Sequence, residues 1–223
     1  MTVVKFLVGG TCVTCSVYTI YCLYKKYRNK SEQQTKKGRS LVLFSSEESV
    51  MCKTHLMLGN PCNRIHCPVR TINELRKAIL SAKHSLDVCV YFLTHPSLID
   101  AIIEVFHRDV PVRVITDADM SDNTSSTEHI YKMRKLGIRL RTKQSFYYMH
   151  HKFAVIDKRI LITGSTNWTK NGFFGNFENI IITNQPDLAK PFAEEFERLW
   201  IIFDNLPNTN GLENPKNKSS RNY

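Results

Sequence analysis

His150, Lys152, Asp157, Gly164, Ser165 and Asn167 stand at fixed offsets in one stretch, reading H-x-K-x4-D-x6-G-S-x-N. The residue types suit phosphodiester chemistry. A neutral imidazole can attack phosphorus and form a covalent phosphohistidine, splitting one hard displacement into two easier ones. An ammonium, a hydroxyl and a carboxamide can hold the charge that develops on the phosphoryl oxygens. Nothing in this set requires a catalytic metal. Phe153, Val155 and Ile156 belong to an apolar run typical of a buried strand. Residues two apart in a strand share a face, so His150 and Lys152 point into one pocket and His151 faces away in a structural role. Asp157-Lys158-Arg159 reads as a turn, Arg159 to Thr163 as a return strand, and Gly164 to Asn167 as the loop brought back beside His150 and Lys152. Asp157 belongs to the motif, yet it lies far along the strand for a phosphate contact. It is expected to fix the hairpin or to pair with a base across a dimer. Lys143, Lys158, Arg159 and Lys170 flank the motif and could line a groove for a nucleic-acid backbone.

The motif occurs once. Two-step transfer needs a nucleophile on one side of phosphorus and an acid for the leaving group on the other. A two-fold dimer that brings two copies of His150 together is the economical arrangement.

The spacing is the signature of the phospholipase D superfamily. Its flanks, Tyr148 to Ala154 and Leu161 to Thr169, followed by Asn176-Phe177-Glu178-Asn179, resemble the Zucchini, or mitochondrial phospholipase D, branch. The likeness runs from about Thr71 to about Trp200. It implies a homodimeric endoribonuclease that cuts single-stranded RNA and leaves a 5′-phosphate and a 3′-hydroxyl. It also implies processing of small-RNA (piRNA) precursors and a place on the mitochondrial outer membrane. Glu178 is implied to orient His150, which completes the expected catalytic set of His150, Lys152, Asp157, Ser165, Asn167 and Glu178. The alternative is a phospholipase that hydrolyses cardiolipin to phosphatidate. The phosphodiester step is the same for both substrates.

The elements that must carry these residues can be read from the 223 residues. The formal charge of +11 predicts attraction to polyanions, whether RNA or anionic lipid headgroups. Phe6 to Tyr24 carries no charge, is long enough to cross a bilayer, and is followed at once by Lys25, Lys26 and Arg28. The expectation is a single-pass anchor over residues 1–24 with the catalytic part cytosolic; a cleaved signal peptide is the competing reading. Residues 25–40 read as a basic linker that also suits anionic headgroups, 41–204 as the catalytic domain, and 205–223 as a disordered tail.

Within the domain, strands are expected at Leu41–Phe44, Leu86–Leu93, Val112–Asp117, Ile138–Arg141 and Asn179–Thr183, besides the hairpin. Helices are expected at Thr71–Lys83 with Thr71 as cap, Ser97–His107, Thr127–Leu136 stopped by Gly137, and Leu188–Phe203 with Pro191 in its first turn. The class is α/β, a mixed sheet flanked by helices on both faces. Cys89 reads as a core thiol, and Trp168 as packing under the motif loop. The odd count of seven cysteines fits a reducing compartment. Cys52, Cys62, His66 and Cys67, within residues 52–67, carry the ligand types of a structural zinc insertion.

Overall fold

A computed structural model describes residues 18–26, 38–117, 124–143 and 147–204. Met1–Gly38 and Arg39–Tyr223 form two separate units. In the first, residues 18–26 are helical and exposed. The rest of the expected anchor, most of the linker and the tail over 205–223 lie outside the described residues. Among the described residues no helix is long and apolar enough to cross a membrane.

The second unit is one seven-stranded sheet. Its strands are β1 (Ser40–Ser45), β2 (Leu86–Val90), β3 (Val112–Asp117), β4 (Arg139–Lys143), β5 (Lys152–Ile156), β6 (Ile160–Gly164) and β7 (Glu178–Thr183). They lie in the order β1-β7-β6-β5-β2-β3-β4. β2, β3 and β4 run parallel, and the remaining pairs are antiparallel. The helices are α1 (Lys53–Leu58), α2 (Pro68–Leu80), α3 (Pro96–Phe106), α4 (Thr124–Lys135), α5 (Lys170–Phe174) and α6 (Pro186–Ile202), with a 3-10 helix over Glu47–Cys52.

Strand alternation divides the core in two. Val88, Val90, Ala154 and Ile156 face the layer that holds Ile72, Leu75 and Ile79 of α2 and Leu98, Ile102 and Val105 of α3. Cys89, Phe153 and Val155 face Phe196, Leu199 and Trp200 of α6. The mixed sheet covered on both faces is therefore as expected.

Two helix starts differ from the sequence reading. Thr71 is buried inside α2, whose cap is Cys67 with Pro68 in the first turn. Likewise α6 starts at Pro186, so Pro191 sits within the helix. In both cases an earlier proline, with its φ already helical and no amide proton to satisfy, opens the helix.

A charged clip fixes α6 to the sheet. Arg113 of β3 donates to both oxygens of buried Asp87 at 2.7 and 2.9 Å and to both of Glu197 at 2.9 and 2.8 Å. Its guanidinium also lies 4.9 Å from the Phe196 ring centroid. Removing Arg113 would leave Asp87 buried without a partner, a loss of about 3–5 kcal/mol.

Candidate active site

β5 and β6 form the expected hairpin, with Phe153 paired to Thr163 and Ile156 to Ile160. Its two ends carry different chemistry. At the open end, His150 stands exposed just before β5, and Lys152 opens the strand almost buried, at 8% exposure. The Lys152 ammonium donates to the His150 carbonyl at 2.7 Å. Burial lowers its pKa from the ordinary lysine value, while the negative charge of Glu178 works the other way.

Ser165 follows β6, and its hydroxyl donates to Glu178 while accepting from the Asn179 amide at 3.0 Å. Glu178 also accepts from the Asn176 carboxamide at 3.0 Å. The expected bond between Glu178 and His150 is thus replaced: β7 delivers the carboxylate to Ser165 and Asn176, and it acts on Lys152 through space. Asn167 is half-buried, and its side-chain oxygen meets no hydrogen-bond partner among the described residues. Gly164 permits this closeness, because a methyl group there would collide with the Asn179 carbonyl oxygen on β7.

At the closed end, Asp157 and Lys158 take positive φ values of 53° and 55°, the mirror-image turn that suits a hairpin. The Asp157 carboxylate accepts from the amides of Lys83, His84 and Ser85, the closest at 2.7 Å. Burial opposes its charge, but the amides outweigh burial and hold its pKa below the usual carboxylate value. Asp157 is therefore an architectural residue one strand length from His150, and the structure does not bring it to the site. Lys158 and Arg159 share that turn, roughly 20 Å along the strand from His150, so they do not flank the site. Lys170 opens α5 just beyond the motif loop. Lys143 pairs with Asp117 at the end of β4, and its side chain lies outside the described residues.

Two residues that sequence reasoning missed complete the open end. The Tyr91 ring lies 4.9 Å from the His150 ring and 5.3 Å from the Lys152 ammonium, so one phenol packs against both motif side chains. Buried Asp117 accepts from the Met149 amide at 2.8 Å and so pins the chain one residue before His150. Both lie at the carboxyl ends of parallel strands, β2 and β3, where open α/β sheets place their ligand sites. That position was the available signal.

Beneath the loop, Trp168 is buried as expected and its carbonyl accepts from the His95 amide at 2.8 Å. His95 itself is 1% exposed, its ring nitrogens lack partners among the described residues, and burial pushes its pKa down to about 4. Cys89 is a buried thiol against the Met149 sulfur at 3.4 Å, as its core assignment requires. His151 turns to the α6 face, where it meets Phe153 and Glu195.

The sulfurs of Cys52, Cys62 and Cys67 lie within 4.8 Å of one another, close enough to share a metal ion. Burial and the neighbouring thiols push Cys52 up to about 12. That donor set fits a thiophilic cation such as zinc. His66 does not join it; its ring lies edge-on to Phe44 instead, with centroids 6.2 Å apart.

Comparison with known proteins agrees with this geometry. Residues 75–200 match the family described as cardiolipin synthase, PLD-like domain. The mitochondrial cardiolipin hydrolase of Mus musculus is 43% identical over 147 residues, covering 66% of this chain and 65% of that protein. The Homo sapiens protein of the same name is 44% identical, with 57% of its length covered, so the chain spans less than two thirds of either relative. Among solved structures, the phospholipase D family member Nuc of Salmonella typhimurium superposes with a TM-score of 0.60. It is 27% identical, over 74% of this chain and 95% of that one. Motif, sheet and relatives agree: the chain belongs to the phospholipase D superfamily, in the Zucchini, or mitochondrial cardiolipin hydrolase, branch.

Proposed function

We propose that this phosphodiesterase is a membrane-anchored endoribonuclease that works as a homodimer. The observation that carries the nuclease reading is the pair of exposed aromatic rings beside the exposed His150: Tyr147 at 85% exposure and Tyr148 at 54%. Aromatic faces next to a reacting phosphate suit the unstacked bases of a single strand, and the charge of +11 suits its backbone. In the first step His150 attacks phosphorus and the bond to the leaving oxygen breaks. His150 of the partner subunit protonates that oxygen, then activates water to release the phosphohistidine. Lys152 and Asn167 steady the phosphoryl oxygens, while Ser165, whose one proton goes to Glu178, ties β6 to β7 beside them. The 5′-phosphate products suit piRNA precursor processing at the cytosolic face of the mitochondrial outer membrane.

The second reading is cardiolipin hydrolysis to phosphatidate, favoured by the names of the relatives. Full-length protein, incubated without added metal with labelled single-stranded RNA and with cardiolipin vesicles, separates the two. Cleaved RNA supports the nuclease. Intact RNA beside hydrolysed cardiolipin replaces it with the lipase. Zinc is assigned a structural role at Cys52, Cys62 and Cys67. About one zinc per chain is expected by metal analysis, and chelation should lower the melting temperature before it lowers turnover.

A further inference from the structure

Beside His150 opens a cavity of about 520 Å³, between the segment that leads into β5 and the last turns of α6. One wall is Tyr147, Tyr148, His150 and His151, and the other is Arg198 with Leu199 and Phe203. Because His150 lines it, a substrate whose phosphorus sits at His150 has room to extend into the cavity.

The walls choose the occupant. Glu195 accepts from two guanidinium nitrogens of Arg198 at 2.7 Å and lies 3.8 Å from the His151 ring. Burial holds His151 below its ordinary value against the pull of Glu195, which leaves a neutral ring able to donate and accept. An acyl chain laid here would meet Leu199, Ile202 and Phe203, but it would also press against the Arg198 guanidinium and the His151 imidazole, whose hydrogen bonds it cannot satisfy. A nucleobase has a flat π face for the tyrosines and an edge of donors and acceptors for Arg198 and the neutral His151. A cavity of this size also holds a nucleoside comfortably.

We propose that this cavity is a base subsite, which takes the nucleobase next to the scissile phosphate of a single-stranded nucleic acid. The assignment rests on the nuclease reading above and names how that site grips its substrate.

The test uses an oligoribonucleotide with one abasic residue, cut by the full-length protein, so that every other phosphate in the strand is an internal control. Cleavage at one of the two phosphates flanking the gap should fall about tenfold, the scale of one base–aromatic stack. Tyr148→Ala and Arg198→Gln should flatten that dip, whereas Tyr148→Phe, which keeps the ring, should preserve it. RNA that is cut with an even profile across the gap overturns the subsite and leaves the nuclease standing. RNA left intact while cardiolipin vesicles are hydrolysed overturns both.

Discussion

The two ends of the β5–β6 hairpin hold residues of one motif and treat them in opposite ways. At the closed end, Asp157 is saturated: the amides of three successive residues converge on its carboxylate. At the open end, three polar groups are held but not satisfied. His150 is exposed, the Asn167 oxygen has no partner among the described residues, and the Lys152 ammonium is buried against a single carbonyl. A group that has spent its hydrogen bonds on the protein stabilises the fold. One that keeps them has something left for a substrate. Spacing in a motif does not separate these cases, because selection for architecture and for chemistry both preserve residues at fixed offsets.

Three substitutions test this contrast, in order of their effect on turnover. His150→Asn should lower the rate by several orders of magnitude and abolish trapping of a phosphoenzyme. Retention of more than about one part in a hundred of the rate would take the nucleophile away from the open end altogether. Lys152→Ala should cost about a hundred-fold or more in kcat with a smaller change in KM. Its pH dependence sharpens the point. Only the ammonium form can hold phosphoryl charge, and burial lowers the Lys152 pKa below its ordinary 10.5. Activity should therefore fall as pH rises through that lowered value, and Lys152→Arg, at whatever rate remains, should move the alkaline limb upward.

Asp157→Ala should leave kcat within about twofold of wild type but destabilise the fold by about 1–3 kcal/mol, read by denaturant titration, because three amides lose a charged acceptor. The sign with pH is fixed by the lowered carboxyl pKa. The stabilisation is fully present above the unfolded carboxyl value near 4 and disappears as pH falls through the folded one. Wild type and variant should then converge in acid. A large loss of kcat at full stability would erase the distinction between the two ends.

Most of the fold was legible because periodicity is a local property. β1, β2, β3, the hairpin and the stripes of α2, α3 and α6 all follow from spacing alone. His151 was legible for the same reason, since alternation sends it to the α6 face. The same arithmetic, carried five residues further, also places Lys158 and Arg159 at the wrong end of β5 for substrate, although they are near in sequence. What was hidden depends on pairing across the sheet. Glu178 reaches Ser165 because β7 joins β6 with Ile180 opposite Gly164. Tyr91 meets His150 because β2 pairs with β5. The three cysteines converge without His66 because a loop closes on itself through turns that no period describes.

Gly164 sets how this site can change. β6 and β7 meet there more closely than any side chain allows, so Ser165 and Glu178 are joined across a seam without slack. A substrate of a different shape cannot be accommodated by easing that seam apart, and even one added methyl group would shift both residues together. Adaptation to a new substrate therefore has to come from the other side of His150, where Tyr147, Tyr148 and the end of α6 can vary one residue at a time.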